Sequence, residues 1–153
     1  MPSLAIESPL GPLTLVQEGD AIAALHFDGR GGRDGTPLLR EAEAQLAAYF
    51  TRRSTGFALP LAPRGSPFQR ALWRRLQAIP YGEVCTYGAL AAELGSEPRA
   101  VGWGCGSNPL PIVIPCHRVV ASNGLGGYSG GKGRPTKVKL LALERIDLFS
   151  PPP

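Results

Sequence analysis

Apolar residues fall into two short runs near the start of the chain, Leu13 to Gln17 and Ala21 to Phe27, joined by Glu18-Gly19-Asp20. Runs of this kind around a glycine-containing turn predict a hairpin. Leu39, Ala42, Leu46 and Tyr49 then recur at the spacing of one helix face, behind the start signal Gly35-Thr36-Pro37. Between hairpin and helix, residues Phe27 to Gly35 crowd glycines with charges and read as a surface loop. Phe57, Leu59 and Leu61 alternate with their neighbours, the period of a half-buried strand. A small sheet with one helix is the lobe these patterns predict, and no chemistry is legible in it.

Leu61-Ala62-Pro63-Arg64-Gly65 reads as a linker, which divides the chain into an N-terminal lobe, residues 1–63, and a C-terminal part, residues 64–153. Past it, Ser66 caps a helix that has Pro67 in its first turn and Phe68, Leu72, Leu76 and Ile79 on one face, and Pro80 ends it. Trp73 in that helix reads as a packing residue. Thr86 caps a second helix, Tyr87 to Leu94; after Gly95-Ser96, Pro98 opens a third that runs to about Ser107. Two helices around so short a turn fit a helix-turn-helix, and equally a plain helical corner. Gly102, Gly104 and Gly106 favour the first, because glycine is costly in a helix and is kept where another backbone comes close. The apolar run Ile112 to Ile114 reads as a buried strand. The whole is α/β in the α+β sense, with a mainly helical second half.

Charge sharpens the division. Residues 1–62 hold five arginines against seven carboxylates, whereas residues 63–153 hold eleven basic side chains against five acidic ones. A basic half of this kind is the footprint of a polyanion binder, although many basic domains are merely soluble. No run of about 18 apolar residues exists to span a membrane. The start Met1-Pro2-Ser3-Leu4 lacks a basic segment followed by an apolar one, so a cytoplasmic location is expected. Cys85, Cys105 and Cys116 are odd in number and lack Cys-x-x-Cys spacing, which suggests free thiols. With His26 and His117 the only histidines, no metal site is expected.

The candidate chemistry lies at Pro115-Cys116-His117-Arg118-Val119, ahead of the glycine-rich stretch Gly124 to Gly131. A thiol reacts as its thiolate, and a neighbouring imidazole and guanidinium are what favour that form. By itself the Cys-His pair fits a packing cysteine as well as a nucleophile. The surrounding order of motifs separates the two: Arg99-Ala100-Val101-Gly102, Asn108-Pro109, Pro111-Ile112-Val113-Ile114-Pro115, Tyr128-Ser129-Gly130-Gly131 and Leu140-Leu141-Ala142-Leu143-Glu144. From about Ser66 to Glu144 this resembles the O6-alkylguanine-DNA alkyltransferases, and residues 1–62 resemble the family's variable N-terminal part loosely.

The resemblance implies a ribonuclease H-like N-terminal lobe and a winged helix-turn-helix-like C-terminal domain. It implies that Cys116 takes an alkyl group from O6-alkylguanine in double-stranded DNA, His117 accepts the thiol proton, Glu144 orients His117, and Asn108 supports the turn. For the substrate it assigns Tyr87, Val119, Ser129, Pro111 and Tyr128; for DNA it assigns Arg99, which replaces an extruded base, with Ala100, Gly102 and Thr86. A guanine O6 in a stacked duplex is out of reach, so the base must flip. Arg118 is expected to be structural, paired beneath the site. The thioether product has no carbon open to water, so each molecule is expected to act once, as a monomer, without cofactor, metal, membrane or protein partner. Trp103 and Ser107 depart from the family pattern: the recognition helix then either meets DNA differently or rests Trp103 on the protein. Two rivals stand beside this reading, a lesion-sensing DNA binder that flips without transferring and a thiol hydrolase. The presence of Cys116 with His117, Asn108 and Glu144 counts against the first, and the DNA-binding helix against the second.

Overall fold

The structure is a computed structural model that describes residues 1–146, so the last seven positions of the C-terminal part lie outside the described residues. The predicted hairpin is β2 (Leu13–Glu18) and β3 (Ala21–His26), antiparallel with a bulge between Val16 and Gln17. A further strand, β1 (Ser3–Ile6), pairs antiparallel with β2 and completes a sheet of order β1-β2-β3. Four residues are too few to register as a pattern; β1 exists because Leu4 and Ile6 alternate into a face that β2 already offers. Helix α1 (Pro37–Phe50) covers that face with Leu39, Ala42, Leu46 and Tyr49, and Thr36 caps it by accepting from the Leu39 amide.

The strand expected over 57–61 does not form. Pro60 has no N–H to offer, and the backbone of Ala58 is satisfied instead by the Gln45 side chain, which donates to its carbonyl and accepts from its amide. Leu61 alone bridges to Ile22. Nor is Ile112 to Ile114 a strand. It is a buried turn in which Ile112 takes φ 75° and the Ile114 amide donates to the Leu110 carbonyl. Pro109, Pro111 and Pro115 remove the donors a ladder needs, and Asn108 takes their place: its Nδ2 donates to the Ile114 carbonyl and its Oδ1 accepts from the Leu110 amide.

In the second half the caps fall where the sequence puts them. Ser66 and Gln69 form a reciprocal capping box on α2 (Pro67–Gln77), whose Leu72, Trp73 and Leu76 are buried. Thr86 caps α3 (Tyr87–Leu94), which ends on left-handed Gly95, and α4 (Pro98–Gly106) packs against both α3 and α2. Two short parallel strands, β4 (Cys85–Thr86) and β5 (Val119–Val120), fasten the start of α3 to the segment after His117. The last helix, α5 (Arg134–Leu143), delivers Glu144 at its C-terminal end. One apolar core runs through both halves, from Leu4 and Leu15 to Leu110 and Leu140. The lobes are also joined by polar contacts, among them the Leu25 amide to the Pro109 carbonyl and Arg52 to the Leu143 carbonyl.

Candidate active site

Cys116–Arg118 form a single 3₁₀ turn, held by the Cys116 amide on the Ile114 carbonyl and the Arg118 amide on the Pro115 carbonyl. The turn aims three consecutive side chains in three directions, and all three are buried. His117 Nε2 lies 2.6 Å from Glu144 Oε2, and Arg118 clasps the same carboxylate through Nε at 2.8 Å and a terminal nitrogen at 3.1 Å. Its other terminal nitrogen donates to the Ile79 carbonyl. Arg118 is thus a structural pair beneath the site, as expected. Burial works against the Glu144 charge, but the hydrogen bonds from His117 and Arg118 outweigh it and hold the carboxyl near 2.

An ionised carboxylate can only accept, so His117 carries its proton on Nε2 and presents a bare lone pair at Nδ1. That Nδ1 is buried and meets no hydrogen-bond partner among the described residues. Burial, more than the opposing pull of Glu144, keeps the imidazole below its ordinary range and therefore neutral. Burial also raises the Cys116 thiol; Asn108, the Lys137 cation and Tyr128 act in the other direction. At rest the pair is a neutral thiol and a neutral base. The Tyr128 hydroxyl is near enough to Cys116 to affect its ionisation, yet it makes no hydrogen bond of ordinary geometry among the described residues.

Above the thiol opens a cleft of about 610 Å³. Cys116 forms its floor; Tyr87 and Tyr128 wall it; Ser129 and Gly127 close one side; Arg99, Gly102, Cys105 and Gly106 of α4 form the other. The Tyr87 hydroxyl donates to the Gly127 carbonyl at 3.4 Å, and burial pushes its pKa up to about 12, so it remains a proton donor. Gly126, at φ 75°, passes so close that a Cβ there would stand 2.8 Å from the Tyr87 ring. Among the remaining residues assigned by resemblance, Val119 and Pro111 are buried and do not line the cleft. Val119 gives its carbonyl to Lys137. Ala100 is half-buried, and Thr86 is occupied in capping α3.

The α4 glycines divide into two kinds. A Cβ at Gly104 would collide with Leu72 at 2.3 Å, so this glycine serves the packing of α2 on α4, where Trp73 also donates to the Gly104 carbonyl. A Cβ at Gly102 would meet open space. Gly102 leaves room for a neighbour outside the protein, and a Cβ at Gly106 would meet nothing nearer than the Ser129 hydroxyl at 3.9 Å. Trp103 does not rest on the protein: it is 71% exposed, with the Arg99 guanidinium 6.0 Å from its ring centroid.

Two side chains of the site were not legible as such. Lys137 is buried, donates to the Val119 and Gly127 carbonyls at 2.6 and 3.0 Å, and has its pKa brought down to about 8 by burial. Its signal was available, since Lys137, Leu140, Leu141 and Glu144 share a helical face. Tyr49 corrects the reading of the N-terminal lobe as free of chemistry: its hydroxyl donates to Glu144 Oε2 at 2.6 Å. Nothing in the sequence around it points across the lobes.

A buried thiol at the bottom of an open cleft, beside an imidazole with one free nitrogen, suits displacement at a carbon presented from the cleft. No helix among the described residues is long and apolar enough to cross a membrane. Comparison with known proteins bears on what the cleft takes. The family model for the 6-O-methylguanine DNA methyltransferase, DNA binding domain, matches residues 67–146, and that for its ribonuclease-like domain matches residues 4–63. The chain is 43% identical to a methylated-DNA–protein-cysteine methyltransferase of Mycolicibacterium paratuberculosis, with 92% of this chain and 90% of that protein covered. It is 42% identical to the constitutive protein of that name in Bacillus subtilis, covering 92% and 93%. The crystal structure of Mycobacterium tuberculosis OGT in complex with DNA superposes with a TM-score of 0.84 at 39% identity, covering 95% of this chain and 93% of that one.

Proposed function

Because the chain belongs to the 6-O-methylguanine DNA methyltransferase family, we propose that it repairs double-stranded DNA by moving the alkyl group of O6-alkylguanine onto Cys116. The observation that carries this reading is the thiol floor: Cys116 lines the cleft while His117, held through Nε2 by Glu144, leaves Nδ1 without a partner among the described residues. The lesion base turns out of the duplex into the cleft, and Arg99 on α4 fills the space it leaves. The Cys116 proton passes to His117 Nδ1 through a bridging water, since adjacent side chains on a 3₁₀ turn diverge. The thiolate attacks the alkyl carbon, the S–C bond forms as the C–O bond breaks, and the electron pair leaves on the guanine. Tyr87, still protonated, donates its hydroxyl proton to that base and regains one from solvent, which in turn takes up the proton that Cys116 gave to His117. His117, now cationic, is stabilised by Glu144.

Asn108 holds the turn beneath the sulfur, and Tyr128, Ser129 and the loop before them enclose the ring. Residues 1–63 act as a supporting lobe and residues 64–153 as the DNA-binding and transfer domain. The thioether cannot be hydrolysed by water, so the protein is consumed in one turnover and needs neither cofactor nor metal. It works in the cytoplasm as a monomer. Titrating the protein into an excess of duplex bearing labelled O6-methylguanine tests this. Transfer should stop at one label per protein and vanish in Cys116→Ala, which still binds the duplex. Continued turnover would contradict the stoichiometry; tight lesion binding with no transfer by the native chain would identify a lesion sensor instead.

A further inference from the structure

Three donors converge on Glu144 Oε2: His117 Nε2 at 2.6 Å, an Arg118 terminal nitrogen at 3.1 Å, and the Tyr49 hydroxyl at 2.6 Å. Oε1 accepts from Arg118 Nε at 2.8 Å and from the Gly82 amide at 3.3 Å. Tyr49 is the only one of these donors that comes from the N-terminal lobe, and it is wholly buried. Its ring is packed against Phe50, Phe57 and Tyr81. A phenylalanine would fill that space equally well and avoid desolvating a hydroxyl. Docking of the lobes does not depend on the hydroxyl either, because Arg52 donates to the Leu143 and Ala142 carbonyls at the end of α5. The hydroxyl therefore does something that packing does not require, and the one atom it meets is the oxygen that His117 uses.

We propose that Tyr49 is a positioning residue for the transfer reaction, acting through Glu144: by donating to Oε2 it weakens that oxygen's pull on the His117 Nε2 proton, so that the imidazole stays neutral with Nδ1 ready to accept from Cys116. This rests on the alkyl-transfer reading of the site. Each hydrogen bond donated to a carboxylate stabilises its charged form and lowers its basicity, so several donors on one oxygen leave it a weaker acceptor for each. Without the hydroxyl, Glu144 would stabilise the imidazolium more strongly, and a protonated His117 has no lone pair for the thiol proton. Burial and the Glu144 charge drive the Tyr49 pKa far above its ordinary value, so the hydroxyl donates throughout the working range. The charged and titratable groups around His117 are Glu144 and Lys137 from the α5 segment and Arg118 and Cys116 from its own turn. Tyr49 reaches it only through Glu144. The N-terminal lobe thus sets the base of a reaction performed in the other half.

The test uses Tyr49→Phe in the full chain. Single-turnover rates with an O6-methylguanine duplex and with the free base O6-benzylguanine are followed from about pH 4.5 to about pH 9, so that the range extends well below ordinary imidazole titration, the direction in which burial moves His117. The acid limb should move to higher pH, with a loss of roughly three- to ten-fold on the acid limb that shrinks to less than about two-fold on the alkaline plateau, equally for both substrates. A loss that is uniform with pH, or an unchanged profile, overturns the proposal. Arg52→Ala cuts the lobe clamp without touching the carboxylate; it should lower the melting temperature and leave the limb in place. If it moves the limb as Tyr49→Phe does, lobe docking and not the hydroxyl is responsible, and the proposal fails. A readout independent of activity is NMR titration of the imidazoles, since His26 is exposed and His117 is the only other histidine. His117 should protonate at higher pH in Tyr49→Phe, and an unmoved titration contradicts the idea. A native chain that transfers no alkyl group would refute the functional reading while leaving this titration to judge the inference.

Discussion

Beneath the floor of the cleft, Glu144 accepts from Tyr49, Gly82, His117 and Arg118 at once, and Arg118 spends its remaining nitrogen on the Ile79 carbonyl. At the rim, Arg99 lies against Trp103, its guanidinium 6.0 Å from the ring, and beside Gly102, where even a Cβ would meet open space. The floor is finished before any ligand arrives. The rim keeps its cation and its aromatic face for something still to come. A nucleophile and base must hold one geometry within tenths of an ångström, so their partners are built into the protein. A surface that receives a duplex gains by leaving donors free for phosphates and for the gap in the base stack.

Breaking the floor should have the larger effect. Glu144→Gln leaves the shape of the side chain but removes the charge that Arg118 and His117 share. A buried arginine without its counter-charge costs about 3 to 5 kcal/mol, to be read as a lower midpoint in chemical denaturation. Transfer to free base and to duplex should fall together, on the order of a hundred-fold or more. The native protein should reveal the same dependence through acid. The Glu144 carboxyl lies near 2 in the fold against an ordinary 4.5, so its stabilisation is complete above the ordinary value. It is lost as pH falls from there through 2, and amounts to about 3 kcal/mol. Acid unfolding curves of native and Glu144→Gln protein should therefore converge in that window. Curves that stay parallel would mean that the carboxylate network adds no pH-dependent stability.

The rim should break differently. Arg99→Ala should slow repair in duplex by about ten- to a hundred-fold and change reaction with O6-benzylguanine by less than about two-fold, because only the duplex needs its stack refilled. Equal losses on both substrates would place Arg99 in the chemistry and erase the contrast between rim and floor. Trp103→Ala should have the smallest effect, weakening duplex binding by roughly two- to five-fold with the transfer step intact. Trp73 is buried and Trp103 exposed, so fluorescence quenching on addition of duplex reports on Trp103 almost alone. Quenching that survives Trp103→Phe would show that the ring stays out of the interface.

The same contrast explains what was legible in the sequence. Helix ends were, because their determinants are local: Thr36, Ser66 and Thr86 cap as read, and Gly95 ends α3 in the left-handed region. The order of motifs from Arg99 to Glu144 identified a family, and the family match followed. Segments whose hydrogen bonds are made by distant side chains were misread. The alternation over 57–61 is answered by Gln45, and the apolar run at 112–114 by Asn108, so neither becomes a strand. Gly104, grouped in the sequence with Gly102 and Gly106 as a place of close backbone approach, is close instead to the Leu72 side chain of α2. Tyr49 and Glu144 are 95 positions apart, and no local pattern carries a contact of that range. The conspicuous residues of the site stood in motifs; Tyr49 stood on a helix face read as packing, and Lys137 lay outside the motifs.

The central claim is that the sulfur of Cys116 is the acceptor. Its most direct test is intact-mass analysis, with peptide mapping, of the native chain mixed with one equivalent of O6-methylguanine duplex. A gain of one methylene, carried by the peptide that contains Cys116, is the result this account predicts. A methyl group found on Cys85 or Cys105, or unchanged protein bound tightly to the lesion, would contradict it.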